Sequence, residues 1–362
     1  MLPKEEIKKI LILKLCCQGD VIHLTPVINS LKLNFPQSQI DFLTSYWTAS
    51  IVHQFGNLDS VIEVEYDLNK NFFFQLKFFY RLYRKIRSGI YDIVLLAHRN
   101  NIYGVVLKLA GVKYRIGFDG TVFINYPAEF DESQHETLRY INILKSIGLE
   151  ITNPIPHIDL PKNYTELKSE YNKENKKIVL GVFPFGGVNP GTDMRIKRWD
   201  LEKYLSLCQN VYKQNKDIQI IIFEGRLNDE KIKNNSDLRG VIITGDFNAI
   251  ALCSVFITND TGALHIAASY GIPTLSIFGP SDPDILAPLN EPGLKKHHYV
   301  WKKPHCSPCW NPATSFNRKN KKYWKGNTFI CNTGTHECIE KITVSEVYNV
   351  LNEMLAKLRN GY

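Results

Sequence analysis

The chain predicts two doubly wound α/β domains joined by a linker. Three observations carry this expectation. Short apolar runs alternate with helical segments, the alternation restarts after a proline-rich stretch, and 362 residues are too many for one ordinary domain.

In the first series, residues 10–15 (ILILKL) form an apolar run of the kind that a buried parallel strand needs. A loop at 16–20 follows, then a helical segment to about residue 34, with Thr25 and Pro26 as cap and first-turn residue. Residues 40–44, 61–64 and 93–97 supply the next strands. The stretch 153–161 (NPIPHIDLP) is an extended connection, and 162–177 is strongly polar. A second series opens at 178–183 and continues at 218–223, 241–244, 255–257 and 274–278. Residues 344–358 repeat apolar positions at helical spacing and predict a terminal helix. The expected domains are residues 1–165 and 166–345, with 346–362 as a C-terminal helix that has the option of packing back on the N-terminal domain. Ligands of such sheets sit at the carboxyl ends of the strands, so a cleft between the domains is the expected site.

Composition narrows the partners. Hydrophobic residues make up 44% and charged residues 22%, as in a soluble globular protein, and the net charge is +8. That charge favours an anionic ligand or surface, but the basic residues are scattered and match no nucleic-acid-binding module, so no nucleic acid is expected. Lys14 interrupts the apolar run at 10–17, Gly19-Asp20 follows without a cleavage site, and no run is long enough to span a bilayer. A cytoplasmic location is expected, with the eight cysteines reduced or bound to metal.

Residues 259–283 (NDTGALHIAASYGIPTLSIFGPSDP) carry the most chemistry. Thr261 and Gly262 fall where a strand hands over to a helix, and there backbone N–H groups and the helix dipole favour a phosphate. His265 lies one turn inside that helix, on the same side. The first strand is followed by a single glycine, Gly19, where a dinucleotide fold wants G-x-G-x-x-G, which argues against a dehydrogenase. Asp20, just past that strand, is either a general base for an acceptor hydroxyl or a helix-capping residue. The glycine-containing loop 184–192 (PFGGVNPGT) is able to approach a ligand closely, or is a surface turn, with Thr192 as a phosphate contact in the first case.

Four blocks then speak together: 18–44 (QGDVIHLTPVINSLKLNFPQSQIDFLT), 111–118 (GVKYRIGF), 197–199 (KRW) and 259–283. In this order they resemble the ADP-heptose:lipopolysaccharide heptosyltransferase family, glycosyltransferase family 9, over nearly the whole chain. The resemblance implies a GT-B fold, two Rossmann-like domains facing a central cleft, with an acceptor-binding N-terminal domain and a nucleotide-sugar-binding C-terminal domain. It implies inverting, metal-independent transfer of a sugar, heptose first, from an ADP-sugar to a hydroxyl of a lipopolysaccharide core or related glycolipid. Asp20 would then be the base, and Lys197 would neutralise the departing diphosphate. Asp260, Thr261, Gly262 and His265 would hold the donor. The family's acidic residue for the donor nucleoside falls in 224–230 (EGRLNDE), where Glu224, Asp229 and Glu230 compete and Asp229 is preferred. The loop 184–192 is longer than the family pattern. A different donor sugar or glycan acceptor on the same fold, and a nucleotide-sugar-binding protein without catalysis, are the rival readings.

Two features stand beside this core. In the segment 72–85, Lys77, Arg81, Arg84 and Lys85 share one helical face, while Phe72, Phe73, Leu76, Phe79, Tyr80 and Tyr83 share another. The aromatics are expected to pack inward, with the cations facing an anionic inner-membrane surface or the phosphates of a lipid-linked acceptor. Cys306, Cys309, Cys331 and Cys338 form a C-x2-C pair and a C-x6-C pair beside His305 and His336, read as a structural zinc site, as ordinary reduced cysteines or as a disulfide. Cys16 and Cys17 are read as packing residues, and 318–325 (RKNKKYWK) as a solvated loop.

Overall fold

A computed structural model describes residues 2–66, 71–172, 176, 178–189, 191–225, 241–312, 315 and 320–360. The chain divides into two compact units, Met1–Asp159 and Leu160–Tyr362. The division falls inside the Pro-rich stretch, a few residues before the expected boundary at 165.

The first unit runs β1 (Lys9–Leu13), α1 (Gln18–Ile22), α2 (Thr25–Asn34), β2 (Gln39–Ser45), α3 (Tyr46–Val52), β3 (Ser60–Val64), α4 (Phe72–Gly89), β4 (Ile93–Leu96), α5 (Asn101–Leu109), β5 (Tyr114–Phe118), β6 (Tyr126–Ala128) and α6 (Glu136–Lys145). Its strands form a six-stranded sheet in the order β3-β2-β1-β4-β5-β6, and every pairing is parallel. Ile10, Leu11, Ile12 and Leu13 of the central strand β1 are all buried, which explains why it reads as an unbroken apolar run rather than an alternation.

The second unit runs α7 (Tyr164–Tyr171), β7 (Ile178–Phe183), β8 (Val188–Asn189), β9 (Thr192–Asp193), α8 (Leu201–Gln214), β10 (Ile218–Phe223), β11 (Ile242–Thr244) and β12 (Val255–Asn259). It continues through α9 (Gly262–Ser269), β13 (Thr274–Phe278), α10 (Pro283–Leu286), β14 (His297–Trp301), β15 (Trp324–Lys325), β16 (Thr328–Phe329), α11 (Glu337–Glu340) and α12 (Val344–Asn360). Its main sheet has the order β11-β10-β7-β12-β13-β14, again parallel throughout. Counted within each unit, both sheets follow the order 3-2-1-4-5-6. In such a sheet the chain winds outward in opposite directions from the first strand, so a crevice opens at the carboxyl ends of the first and fourth strands. These are β1 and β4 in one unit, and β7 and β12 in the other.

Backbone space is tight at the centre of the second sheet. A Cβ on Gly181 in β7 would come within 2.5 Å of both the Cys253 sulfur and the Phe256 ring. The glycine in the apolar run 178–183 is thus a packing requirement.

Two sequence expectations change here, in the loop after β1 and in α4. The loop after β1 is shorter than expected, because α1 begins at Gln18 and places Asp20 inside its first turn. The terminal helix α12 buries Val347, Leu351, Met354 and Leu355 and packs on α8 and β14 of the second unit. Arg359 fastens its end by donating to Asn215 Oδ1 at 2.7 Å. This apolar stripe is buried within the second unit. In α4, Phe78, Leu82 and Ile86 are the residues turned into the core, with Phe79 and Tyr83 half-buried beside them. Phe72, Phe73, Leu76 and Tyr80, expected to point inward, are exposed.

Replacing Leu351 by alanine in α12 should cost about 2–4 kcal/mol, the usual range for a fully buried leucine. Calorimetric or denaturant unfolding reads this directly. A loss below about 0.5 kcal/mol, the scale of a surface substitution, would mean that α12 does not belong to the core.

Candidate active site

At the carboxyl end of β1 the chain turns into α1, and Asp20 lies in the first turn of that helix. The N-cap position is Cys17, with no side-chain cap bond, so the capping reading of Asp20 gives way to another arrangement. Lys14 Nζ lies 3.0 Å from Asp20 Oδ2, with the lysine side chain 8% exposed and the aspartate 32%. The ammonium also donates to the Tyr140 hydroxyl at 2.8 Å and to the Ala97 carbonyl at 3.2 Å, so all three of its protons have acceptors. Burial pulls the lysine towards neutrality, but Asp20 together with Tyr140, Cys16 and Glu136 more than reverses this, raising it well above its ordinary value. Asp20 therefore sits half-exposed at the crevice of the first sheet, held from behind by a buried cation.

The loop carrying this pair is fixed by neutral groups. Leu15 N–H donates to His98 Nε2 at 2.8 Å, and the Leu15 carbonyl accepts from Ser45 Oγ at 2.5 Å. Burial, aided by the Lys14 charge, pushes His98 well below its ordinary value, so it remains neutral and Nε2 is free to accept.

In the second unit the motif 259–262 occupies the carboxyl end of β12 and the start of α9. Asn259 is completely buried and acts through both ends of its amide. Its Oδ1 accepts from Trp199 N–H at 2.8 Å and from the Tyr204 hydroxyl at 3.0 Å. Its Nδ2 donates to the carbonyls of Pro184 and Phe185 at 3.1 and 3.2 Å. The glycine loop after β7 is thereby laid against the turn before α9. Gly186 (φ +101°) approaches so closely that a Cβ would fall 2.4 Å from the Thr261 methyl, and its carbonyl accepts from Arg198 Nε at 2.8 Å.

The loop then forms a hairpin of β8 and β9, which places half-buried Thr192 opposite Asn189 and leads into a single 3-10 turn, Arg195–Lys197. From this turn Lys197 Nζ reaches Asp260 Oδ2 at 2.6 Å, with side-chain exposures of 13% and 6%. The same ammonium lies 5.7 Å from the centre of the Trp310 ring. Trp310 belongs to a small core with Met194, Trp324 and Phe329, which walls the lysine on its apolar side.

Burial works against the Asp260 charge, but the Lys197 ammonium and its hydrogen bond, with positive charge at His265, hold the carboxyl below its ordinary range. The Ser281 hydroxyl lies within reach without closing a well-aligned hydrogen bond. Thr261 is the N-cap of α9 but makes no side-chain cap bond. Leu264 N–H donates to the Thr261 carbonyl at 3.1 Å, and the N–H groups of Gly262 and Ala263 remain for another acceptor. Gly262 opens the helix, and buried His265 lies one turn further in.

Lys197, Asp260, Thr261, Gly262 and His265 are therefore brought together, and Thr192 lies on the β8–β9 hairpin that leads to Lys197. Asp229 is outside the described residues. Glu224 is half-buried just after β10, with its N–H donating to the Thr244 carbonyl at 2.8 Å. Lys14 and Asn259 were not singled out from the sequence. Lys14 is visible only as a charge inside an apolar run, and Asn259 only as a polar residue ending one.

The four C-terminal cysteines are neighbours, but they do not assemble a metal-ligand set. Burial first, then Cys306 and Cys331, push the Cys309 thiol up to about 11. Burial, then Cys309 and the other two, push Cys338 to about 12. The Cys331 sulfur instead pairs with the Thr333 hydroxyl at 3.2 Å. All four are free thiols, which removes the disulfide reading. Among the described residues no group of three or more His, Cys, Asp or Glu side chains is placed to hold a metal ion, so the zinc reading is not carried forward.

Two parallel 3-2-1-4-5-6 sheets with loops of this kind define the GT-B class of fold. Solved structures agree. A glycosyl transferase family 9 structure from Veillonella parvula matches with a TM-score of 0.72 at 20% identity, covering 97% of each chain. The E. coli ADP-heptose lps heptosyltransferase II matches with a TM-score of 0.70 at 18% identity, covering 96% of this chain and 99% of that one. In sequence, lipooligosaccharide heptosyltransferase 2 of Campylobacter jejuni is 24% identical over 304 residues, 80% of this chain and 86% of that protein. The model of glycosyltransferase family 9 (heptosyltransferase) matches residues 79–319. The chain belongs to glycosyltransferase family 9, and it is an enzyme of the glycosyltransferase class.

The Lys197–Asp260 pair gives a pH signature. A carboxyl held below its unfolded value contributes stability that is complete above about pH 4 and is lost as pH falls through the folded value. Asp260→Asn should thus lower stability by about 3 kcal/mol at neutral pH, because it strands a buried lysine. The gap to wild type should narrow as the medium is acidified below about pH 4. Paired melting curves across pH test this, and a gap independent of pH would contradict an ionised Asp260.

Proposed function

We propose that this enzyme transfers a sugar, heptose first, from an ADP-sugar to a hydroxyl of a lipopolysaccharide core or related glycolipid. The observation that carries the reading is the buried Lys197–Asp260 pair at the uncapped start of α9. It presents a cation and backbone N–H groups together, as a departing diphosphate requires. The names of the similar proteins supply the donor and acceptor classes, and the family supplies the inverting, metal-independent course.

Asp20 is the base in this scheme. It takes the proton of the acceptor hydroxyl as that oxygen attacks the anomeric carbon from the face opposite the diphosphate. The bond from the anomeric carbon to the phosphate oxygen breaks, and the electron pair leaves with ADP. Lys14 positions Asp20 and stays charged while doing so. Lys197 has one donor committed to Asp260, which leaves protons for the phosphate oxygens. Thr261 and Gly262 hold the phosphates by their backbone, His265 and Asp260 line the donor, and Thr192 closes the hairpin side. Asp229 is retained as the contact to the donor nucleoside.

A glycolipid acceptor brings the enzyme to the inner face of the cytoplasmic membrane as a peripheral protein. No described helix is long and apolar enough to cross a membrane.

The test is turnover of ADP-heptose with a lipopolysaccharide-core acceptor, with UDP- and GDP-sugars as competitors. Asp20→Asn should lower kcat by at least about 10²-fold while leaving ADP-sugar affinity unchanged. Full turnover in the variant would remove Asp20 from its role, and preference for a UDP- or GDP-sugar would overturn the donor assignment.

A further inference from the structure

The exposed side of α4 combines two kinds of residue that a soluble surface seldom places together. Phe72 and Phe73 are 74% and 77% exposed, and Leu76 and Tyr80 follow at 58% each. Spaced i, i+1, i+4 and i+8, they form one stripe along the first half of the helix. Lys77, Arg81, Arg84, Lys85 and Arg87 are also exposed and continue beside and beyond the stripe. The helix contains no acidic residue. Among the described residues only Arg81 has a carboxylate within ion-pair reach, Glu65 at 4.0 Å, and both partners are half-exposed.

The helix does not need this face for folding. Phe78, Leu82 and Ile86 already anchor it to the core, and Asn71 caps its start by accepting from Phe74 N–H at 3.0 Å. Neighbouring α5 adds to the pattern, exposing Ile102, Val105 and Leu109 with Lys108.

We propose that the exposed face of α4 is the surface by which this enzyme lies on an anionic lipid membrane, its aromatic stripe entering the headgroup–acyl boundary and its cations meeting lipid phosphates. The 18-residue helix is about 27 Å long, enough to lie flat in the interface but too polar to span it. Charge selects the occupant. A second copy of the chain would set the same five cations against each other, whereas an anionic bilayer neutralises them and also takes up the aromatics. The inference rests on the proposed lipid-linked acceptor for its purpose, but not for its evidence.

The experiment is co-sedimentation of the full chain with vesicles of phosphatidylethanolamine and phosphatidylglycerol, compared with vesicles of phosphatidylcholine. The wild type should partition to the anionic vesicles, and less so as salt is raised. Phe72→Ser/Phe73→Ser and Arg84→Glu/Lys85→Glu should each reduce partitioning by about tenfold. All four positions are exposed, so unchanged melting curves confirm that the variants fold. ADP release from ADP-heptose without vesicles should stay at the wild-type rate, and its absence in every form would count against the proposed function rather than the surface. Undiminished partitioning in both variants would overturn the proposal, as would equal binding to phosphatidylcholine. A wild-type dimer that both variants dissociate would assign the face to a second copy instead.

Discussion

The Asn259-Asp260 step at the end of β12 organises the loops at the carboxyl end of the second unit's sheet. One buried amide ties together the loop after β7, the backbone of Trp199 and the hydroxyl of Tyr204. The next side chain holds Lys197 at 2.6 Å. Each buried polar group left without a partner costs about 1–3 kcal/mol, so losing the amide would release several constraints at once. The strand end, glycine loop, hairpin and lysine therefore form one cooperative arrangement. Gly186 is part of the same constraint, since any side chain there would collide with Thr261.

The first unit solves a related problem with the same sheet order and different chemistry. There the central strand ends in a buried cation, Lys14, whose three contacts draw in Asp20, Tyr140 and the end of β4. In both units a lysine–aspartate pair sits at the crevice formed by strand order, but the exposed member differs. Asp20 is the more accessible partner in the first pair, and Lys197 in the second. A half-exposed carboxylate suits proton removal from an acceptor, and a nearly buried ammonium with donors to spare suits a leaving phosphate.

Much of this was legible in the sequence. Apolar runs located β1 to β4, β7 and β10 to β13, because parallel strands covered on both sides leave no alternation to confuse the reading, whereas the less apolar edge-side strands β5, β6 and β14 were not read. The motif 259–283 located the turn from β12 into α9, because an apolar run ending in Asn259-Asp260 and followed by Thr261-Gly262 marks a strand handing over to a helix. What escaped was set by tertiary contact. Lys14 counted only as a break in an apolar run, because two of its three acceptors, Ala97 just after β4 and Tyr140 in α6, are distant in sequence. The helical period of α4 separated aromatics from cations but missed the face that the core covers. Phe78, Leu82 and Ile86 suffice to anchor it, and this frees the remaining aromatics for the outside. The spacing of the C-terminal cysteines suggested ligands, yet local bonding such as that of Cys331 to Thr333 leaves them as neighbouring thiols.

The most direct test of the account is calorimetric titration of ADP into the wild type, Lys197→Met, Asp260→Asn and the double variant. If the pair acts as one unit at the diphosphate, Lys197→Met should weaken ADP by about 10- to 100-fold, the range for a charge-assisted contact. The double variant should then bind no more weakly than that single one, because Asp260 has lost the group it positions. Wild-type affinity in Lys197→Met, or losses that simply add in the double variant, would contradict a shared role at the phosphates.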